Sequence, residues 1–226
     1  MVVAVSDINV LTSQDVYEII FRIFDVIKEN EKYLTDLDAA IGDADHGINM
    51  TRGFKLATER LKELNPSSDV GTIFNTVGMA LLETVGGAAG PLYGMWFMNM
   101  AQVVMGKSEL DKKTIAEILE AGLKGVQDIG GGTQPGEKTM VDAIYPALEE
   151  LKKAAEDESV SLLEALRRAA EAAEKGMKAT IPMIAKRGRA SYLGERSRGH
   201  QDPGATSSYL IIKTFYDYLK EKTGQS

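Results

Sequence analysis

The chain has 226 residues, 44% hydrophobic and 26% charged, with a formal net charge of −7. This is ordinary globular composition, and its acidity excludes a duplex-binding face, so no nucleic-acid partner is expected. Cysteine is absent, which removes disulfides, thiolate metal sites and cysteine nucleophiles and fits a reducing, cytoplasmic setting.

The opening MVVAVSDINV has no basic stretch and carries Asp7, which makes it a poor signal peptide. From Ser13, apolar residues fall at Val16, Ile19, Ile20, Ile23, Phe24 and Ile27, a stripe of helical period that predicts one long helix ending near Asp38. Further helices are expected at about 46–64, 69–84, 91–106, 111–128, 138–155, 161–186 and 203–221. Ser161 and Glu164 have capping-box spacing, and Pro91 and Pro203 suit first turns. Pro146 and Pro182 fall inside helical patterns and should kink or end them. Residues 84–106 are uncharged, but Gly86, Gly87, Gly90 and Pro91 leave about 15 residues of continuous helix where a bilayer needs about 20. A buried helix behind a glycine-rich loop is expected there, and no membrane association. No run of alternating β-branched residues separates the helices, so the fold class is all-α, one domain of eight helices over 1–226 with no sheet.

The connections carry the chemistry. IGDADHG gathers Asp43 and Asp45 just after Asp38, at the corner between two helices and with no nearby cation in sequence. Hard carboxylate oxygens suit Mg²⁺ or Ca²⁺. An EF-hand starting at Asp43 would need Gly and Glu where Ile48 and Phe54 stand, so that loop is rejected, and Mg²⁺ on an open corner remains. The bland alternative is that Asp43 or Asp45 caps the helix at 46, for which one aspartate would suffice. VGGAAGP lies before the next helix, where free amides attract phosphate, or it is simply a tight turn. In GGGTQPGEKT, Gly131 and Gly136 have Walker A spacing, but Glu137 occupies the lysine position, Lys138 comes one residue late and no strand precedes it. That motif is rejected, and the loop is kept as a possible phosphate or base contact. Lys186, Arg187, Arg189, Arg196 and Arg198 then put five cations into thirteen residues, either phosphate forks or a solvated loop. Together these features describe a metal–nucleotide site outside the P-loop and Rossmann classes.

Four stretches, LDAAIGDADHGINMTRGF, VGGAAGPLYG, PGEKTMVDA and GRASYLGERSRGHQDPGATS, resemble in order the nucleotide-binding L subunit of dihydroxyacetone kinases of the phosphotransferase-dependent type. The likeness runs from about residue 13 to 220. It implies a barrel of eight antiparallel helices with the nucleotide at one end. It implies Asp38, Asp43 and Asp45 as ligands of two Mg²⁺ ions. His46, Gly47 and Asn49 match nucleotide contacts, and Ala88 and Ala89 fall on the phosphate turn. Some relatives carry serine where Ala89 stands, so only a backbone amide can serve here. Gly130 and Met140 line the pocket, Arg189 matches an arginine contact, and Asp202 with Pro203 matches the closing loop. No residue of the chain is assigned as a nucleophile. The resemblance further implies tightly held ADP/ATP, a K subunit that carries dihydroxyacetone, and a phosphohistidine-bearing M subunit of the phosphotransferase system as donor. Two alternatives stay open: an L-type domain that uses exchangeable ATP for another small substrate, and a non-catalytic helical protein that binds divalent metal.

Overall fold

The computed structural model describes residues 8–224; the residues around Asp7 lie outside them. In chain order the elements are β1 (Val10–Thr12), α1 (Ser13–Glu29), α2 (Glu31–Ile41), α3 (His46–Lys62), α4 (Val70–Thr84), α5 (Ala89–Val103), β2 (Glu109–Asp111), α6 (Lys112–Ile129), α7 (Val141–Glu156), α8 (Leu162–Ala179), a 3-10 helix (Arg189–Ser197) and α9 (Pro203–Thr223). The all-α class holds.

Three details differ from expectation. The long first helix is two helices, because Asn30 closes α1 and opens α2. Its Nδ2 donates to Val26 O at 2.8 Å, a local bond that competes with the helix ladder. The described residues therefore hold nine α-helices and a 3-10 helix. A two-stranded antiparallel sheet, β1 on β2 with Leu11 opposite Leu110, was not expected. Its strands of three residues each are too short for an alternating pattern to register. Finally, α8 stops at Ala179, ahead of Pro182, and α7 begins only at Val141.

Caps explain several boundaries. Thr12 and Asp15 form a complete capping box: Thr12 Oγ1 accepts from Asp15 N and Asp15 Oδ2 accepts from Thr12 N. Ser161 supplies half of one. Its hydroxyl accepts from Glu164 N, but the Glu164 carboxylate accepts from Arg167 and Arg168 instead. Asp69, Asp111 and Asp202 cap α4, α6 and α9, with Pro203 at the first position of α9.

Successive helices from α3 to α9 pack each on the next, and α9 returns onto α1, which packs on α3. The circuit is thus closed. Tyr218 on α9 reaches Asp15 and Glu18 on α1 at 2.7 and 2.9 Å. Inside lie five of the six predicted residues of α1 (Val16, Ile19, Ile20, Ile23 and Ile27, all fully buried, with Phe24 half-buried beside them) and an aromatic cluster of Phe54, Phe74, Tyr93, Trp96 and Phe97. Most of that cluster comes from the uncharged stretch 84–106, now α5 in the core. No helix among the described residues is long and apolar enough to cross a membrane.

Pro146 sits inside α7 without ending it. Proline lacks the amide that would bond Asp142 O four residues back. Gly176 of α8 packs against that carbonyl: a Cβ there would lie 1.9 Å from Asp142 O and 2.9 Å from Pro146 Cγ. Gly176→Ala must therefore push α8 off α7. We expect a loss of about 1–3 kcal/mol, a fall of roughly 2–12 °C in melting temperature for a chain of this size. A thermal melt matching the parent would show that the two helices do not approach this closely.

Candidate functional site

The acidic corner is where α2 hands over to α3. One carboxylate oxygen from each of Asp38, Asp43 and Asp45 lies within 4.8 Å of the others. Asp38 is buried on the last turn of α2, and its Oδ2 accepts from Asp45 N at 2.9 Å and His46 N at 3.1 Å. The cap of α3 therefore comes from Asp38, in the helix before. Asp45 occupies the N-cap position but its side chain makes no capping bond, so the alternative that Asp43 or Asp45 merely caps this helix finds no support in its side-chain bonds. Between them Ala44 has φ 59°. That conformation costs a β-carbon residue roughly 1–2 kcal/mol, and here it turns the chain between two aspartates that converge. Such strain is a mark of functional corners.

Arg189, first residue of the 3-10 helix, forms an ion pair with Asp43, its Nε 3.0 Å from Oδ2. A cleft of about 540 Å³ opens beside this pair between α2 and the 3-10 helix, lined by Ala39, Ile41, Gly42, Arg189, Tyr192 and Leu193. Hard oxygens at this spacing fit a small divalent cation; the three carboxylates form a donor set suited to Mg²⁺.

The other predicted residues occupy distinct settings. Gly47 lets α3 lie on α2: a Cβ would meet Glu31 O at 1.9 Å. Asn49 accepts from Arg52 Nη2 at 2.7 Å and faces Gly86 of the glycine-rich turn. Helix α5 starts at Ala89, two residues earlier than expected, with Ala88 at the cap position and no side-chain cap, so its first amides are available. Met140 is buried at the cap position of α7 and packs beside Gly204 at the start of α9. Gly130 closes α6 and packs on its own loop, where a Cβ would lie 2.5 Å from Thr133 Oγ1.

Under the corner runs a buried polar layer. His46 Nε2 is 2.8 Å from Ser207 Oγ on α9. Tyr93 OH on α5 bonds Ser207, Ser208 and Gly204 O. Burial holds the His46 imidazole down at about 4, against the pull of Asp45 and Asp43, so it is neutral at physiological pH. Asp202 is enclosed at the start of α9, where its Oδ2 accepts from Ala205 N. Burial pushes its carboxyl up to about 7, opposed by that bond and by Lys138. Asp142 accepts from Gly136 N and Thr139 N and so shapes the loop before α7. Tyr93, Ser207, Lys138 and Asp142 were not singled out as site residues. The consecutive serines Ser207 and Ser208, fully buried in α9, were the available signal.

A model of the DAK2 domain matches residues 40–217. The ADP-binding subunit of the PEP-dependent dihydroxyacetone kinase of Escherichia coli K12 is 43% identical over 200 residues, 88% of this chain and 94% of that one. The chain belongs to the DAK2-domain family. The ADP-binding subunit of the PTS-dependent enzyme of Lactococcus lactis is 38% identical over 92% of this chain and 99% of its own length. Human triokinase/FMN cyclase is 34% identical, with 84% of this chain matching 32% of that protein. Among solved structures, the native dihydroxyacetone kinase of C. freundii superposes with a TM-score of 0.68 at 25% identity, over 89% of this chain and 34% of that one. Its complex with AMP-PNP and Mg²⁺ gives 0.65.

The two shifted groups make opposite contributions to stability. Asp202 folded keeps its proton up to about 7 while the unfolded carboxyl loses it near 3.8, so its contribution falls as pH rises between them. His46 folded stays neutral down to about 4 while the unfolded ring gains its proton near 6.5, so its contribution rises with pH over that window. Each slope is at most about 1.4 kcal/mol per pH unit. Between pH 4 and 6.5, Asp202→Asn should gain stability relative to the parent as pH rises, and His46→Gln should lose it. Urea melts across this range check both, and variants that run parallel to the parent would refute the burial of these groups.

Proposed function

We propose that the chain is the nucleotide-binding subunit of a dihydroxyacetone kinase, a single L-type domain over 1–226 whose helical circuit is the barrel of that family. The observation that carries this reading is the convergence of Asp38, Asp43, Asp45 and Arg189 on one corner, in a chain that matches the stand-alone ADP-binding subunits almost end to end. Asp38, Asp43 and Asp45 would hold Mg²⁺, two ions by our reading. When bound, the metal spreads the charge of the phosphates and of the phosphoryl group in transit.

The chain's own groups bind and orient. Amides at Ala88 and Ala89 meet phosphate oxygens at the start of α5. Arg189 offers a planar fork to the same phosphates. His46, Gly47 and Asn49 line the nucleotide along α3, Gly130 and Met140 line the pocket, and Asp202 with Pro203 belongs to the closing loop. No side chain acts as a nucleophile: catalysis is positioning and charge stabilisation. Activity requires a K subunit, which holds dihydroxyacetone. A phosphohistidine-bearing M subunit of the phosphotransferase system re-phosphorylates the retained ADP. The same reading puts the chain in the cytoplasm. A second reading, exchangeable ATP used on another small substrate, draws on the likeness to triokinase/FMN cyclase. The greater identity to the stand-alone subunits favours the first.

Without a cation the aspartates repel one another and the incoming phosphates, so Mg²⁺ and ADP should stabilise the fold together and neither well alone. At ligand about 100 times its dissociation constant, linkage gives roughly 2.7 kcal/mol, or about 5–11 °C in melting temperature. Asp43→Asn or Asp45→Asn should remove most of this shift and leave the unliganded protein at least as stable. A full ADP shift in chelator, or in either variant, would refute the assignment; metal binding that never couples to nucleotide would favour a non-catalytic metal-binding protein.

A further inference from the structure

The loop that failed as a Walker A motif ends in Glu137 and Lys138, and both side chains grip the same distant segment. Lys138 is 2% exposed. Its ammonium has three N–H donors and no carboxylate within 4 Å among the described residues. It donates to backbone carbonyls: Thr180 O at 2.6 Å, His200 O, and Met183 O at 3.3 Å, with Ile181 O at 3.5 Å. Thr180 and Ile181 follow the end of α8, where a cation also meets the negative end of the helix. His200 lies just before α9. One lysine thus pins both feet of the 181–200 loop. Lys138 itself has φ 63°, an unfavourable conformation that a solvated lysine would have no reason to keep.

Glu137 fixes the same loop near its middle. Its carboxylate accepts from Arg187 Nε at 2.8 Å and its carbonyl accepts from Lys186 N at 3.2 Å. Two residues further on, Arg189 reaches Asp43. The loop's own bonds, Gly199 N to Ile181 O and Ala185 N to Ser197 Oγ, tie its strands to each other but to nothing else. We infer that Glu137 and Lys138 are positioning residues: they anchor the 181–200 loop so that Arg189 is presented to the acidic corner. The inference deepens the nucleotide reading above and rests on it for the binding measurement below.

The test is a double-mutant cycle on the full chain, read by the dissociation constant of a fluorescent ADP analogue in Mg²⁺. Lys138→Met and Arg189→Ala are each expected to weaken binding about tenfold, ~1.4 kcal/mol. The double variant should be no weaker than the single ones, because an arginine already displaced has nothing left to lose. Arg187→Gln, on the surface, covers the case in which Lys138→Met does not fold: it should show the same non-additivity with Arg189→Ala at essentially the parent's melting temperature. Losses that multiply, about a hundredfold in the double variant, overturn the inference. Hydrogen exchange without ligand supplies an independent arm. Amides 181–200 should exchange faster in the anchor variants while those of α1, α3 and α5 keep parental rates; unchanged exchange in the loop overturns the anchor. If the parent fails to bind the analogue with Mg²⁺, the nucleotide reading falls and the exchange result alone decides whether the anchor exists.

Discussion

Unit charges 4.8 Å apart repel by roughly 3 kcal/mol per pair at an effective dielectric constant of about 20, and the corner 38–46 holds three carboxylates that each bring one oxygen within that distance of the others. Much of the structure around it can be read as compensation. Asp38 takes two amides of the α3 start on one oxygen, which brings its charge to the positive end of that helix. Arg189 comes from more than 140 residues away to meet Asp43. Ala44 accepts a left-handed backbone to keep the turn short. A cation held among the three oxygens would add to these devices, which is why the corner suits a metal.

How much of this was legible in the sequence varies with the range of the interaction. The stripe Val16–Ile27 named the buried face of α1 because helical period is a local property, and Pro203 marked the start of α9 for the same reason. Asn30 did not announce a break, since the residues on both sides continue the apolar pattern; only its bond back to Val26 shows why the ladder changes axis there. Pro146 reads, from sequence, as a kink or an end of its helix. It is tolerated because the carbonyl it frees lies against Gly176, a fact of packing between α7 and α8 that no window along the chain contains.

The candidate site divides in the same way. Asp38, Asp43 and Asp45 stood out because their chemistry and spacing are compressed into eight residues. Ser207 and Tyr93 did not, although they hold the ring of His46 from below; their partners lie more than a hundred residues apart. Glu137 and Lys138 were visible but misleading. Measured against a phosphate loop they were in the wrong places, and their partners are a loop fifty residues downstream. A buried lysine whose acceptors are all backbone carbonyls leaves no complementary residue type in the sequence for a motif to find.

Arg189 joins these threads. Its side chain is largely exposed and its partner Asp43 is partly so, and exposed ion pairs are weak and easily exchanged. On the proposed reading, a phosphate tail arriving with magnesium would offer the guanidinium a stronger, bidentate acceptor, and a metal held by Asp43 would neutralise that carboxylate in its place. On that reading one arginine would balance the corner before the nucleotide arrives and bind the phosphates afterwards, with only a local change of partner. That exchange requires the backbone carrying Arg189 to stay where it is, since a free loop would let the side chain leave with whichever anion it met. Anchoring at Glu137 and Lys138, well away from the aspartates, fixes that backbone without adding further charge to the corner itself.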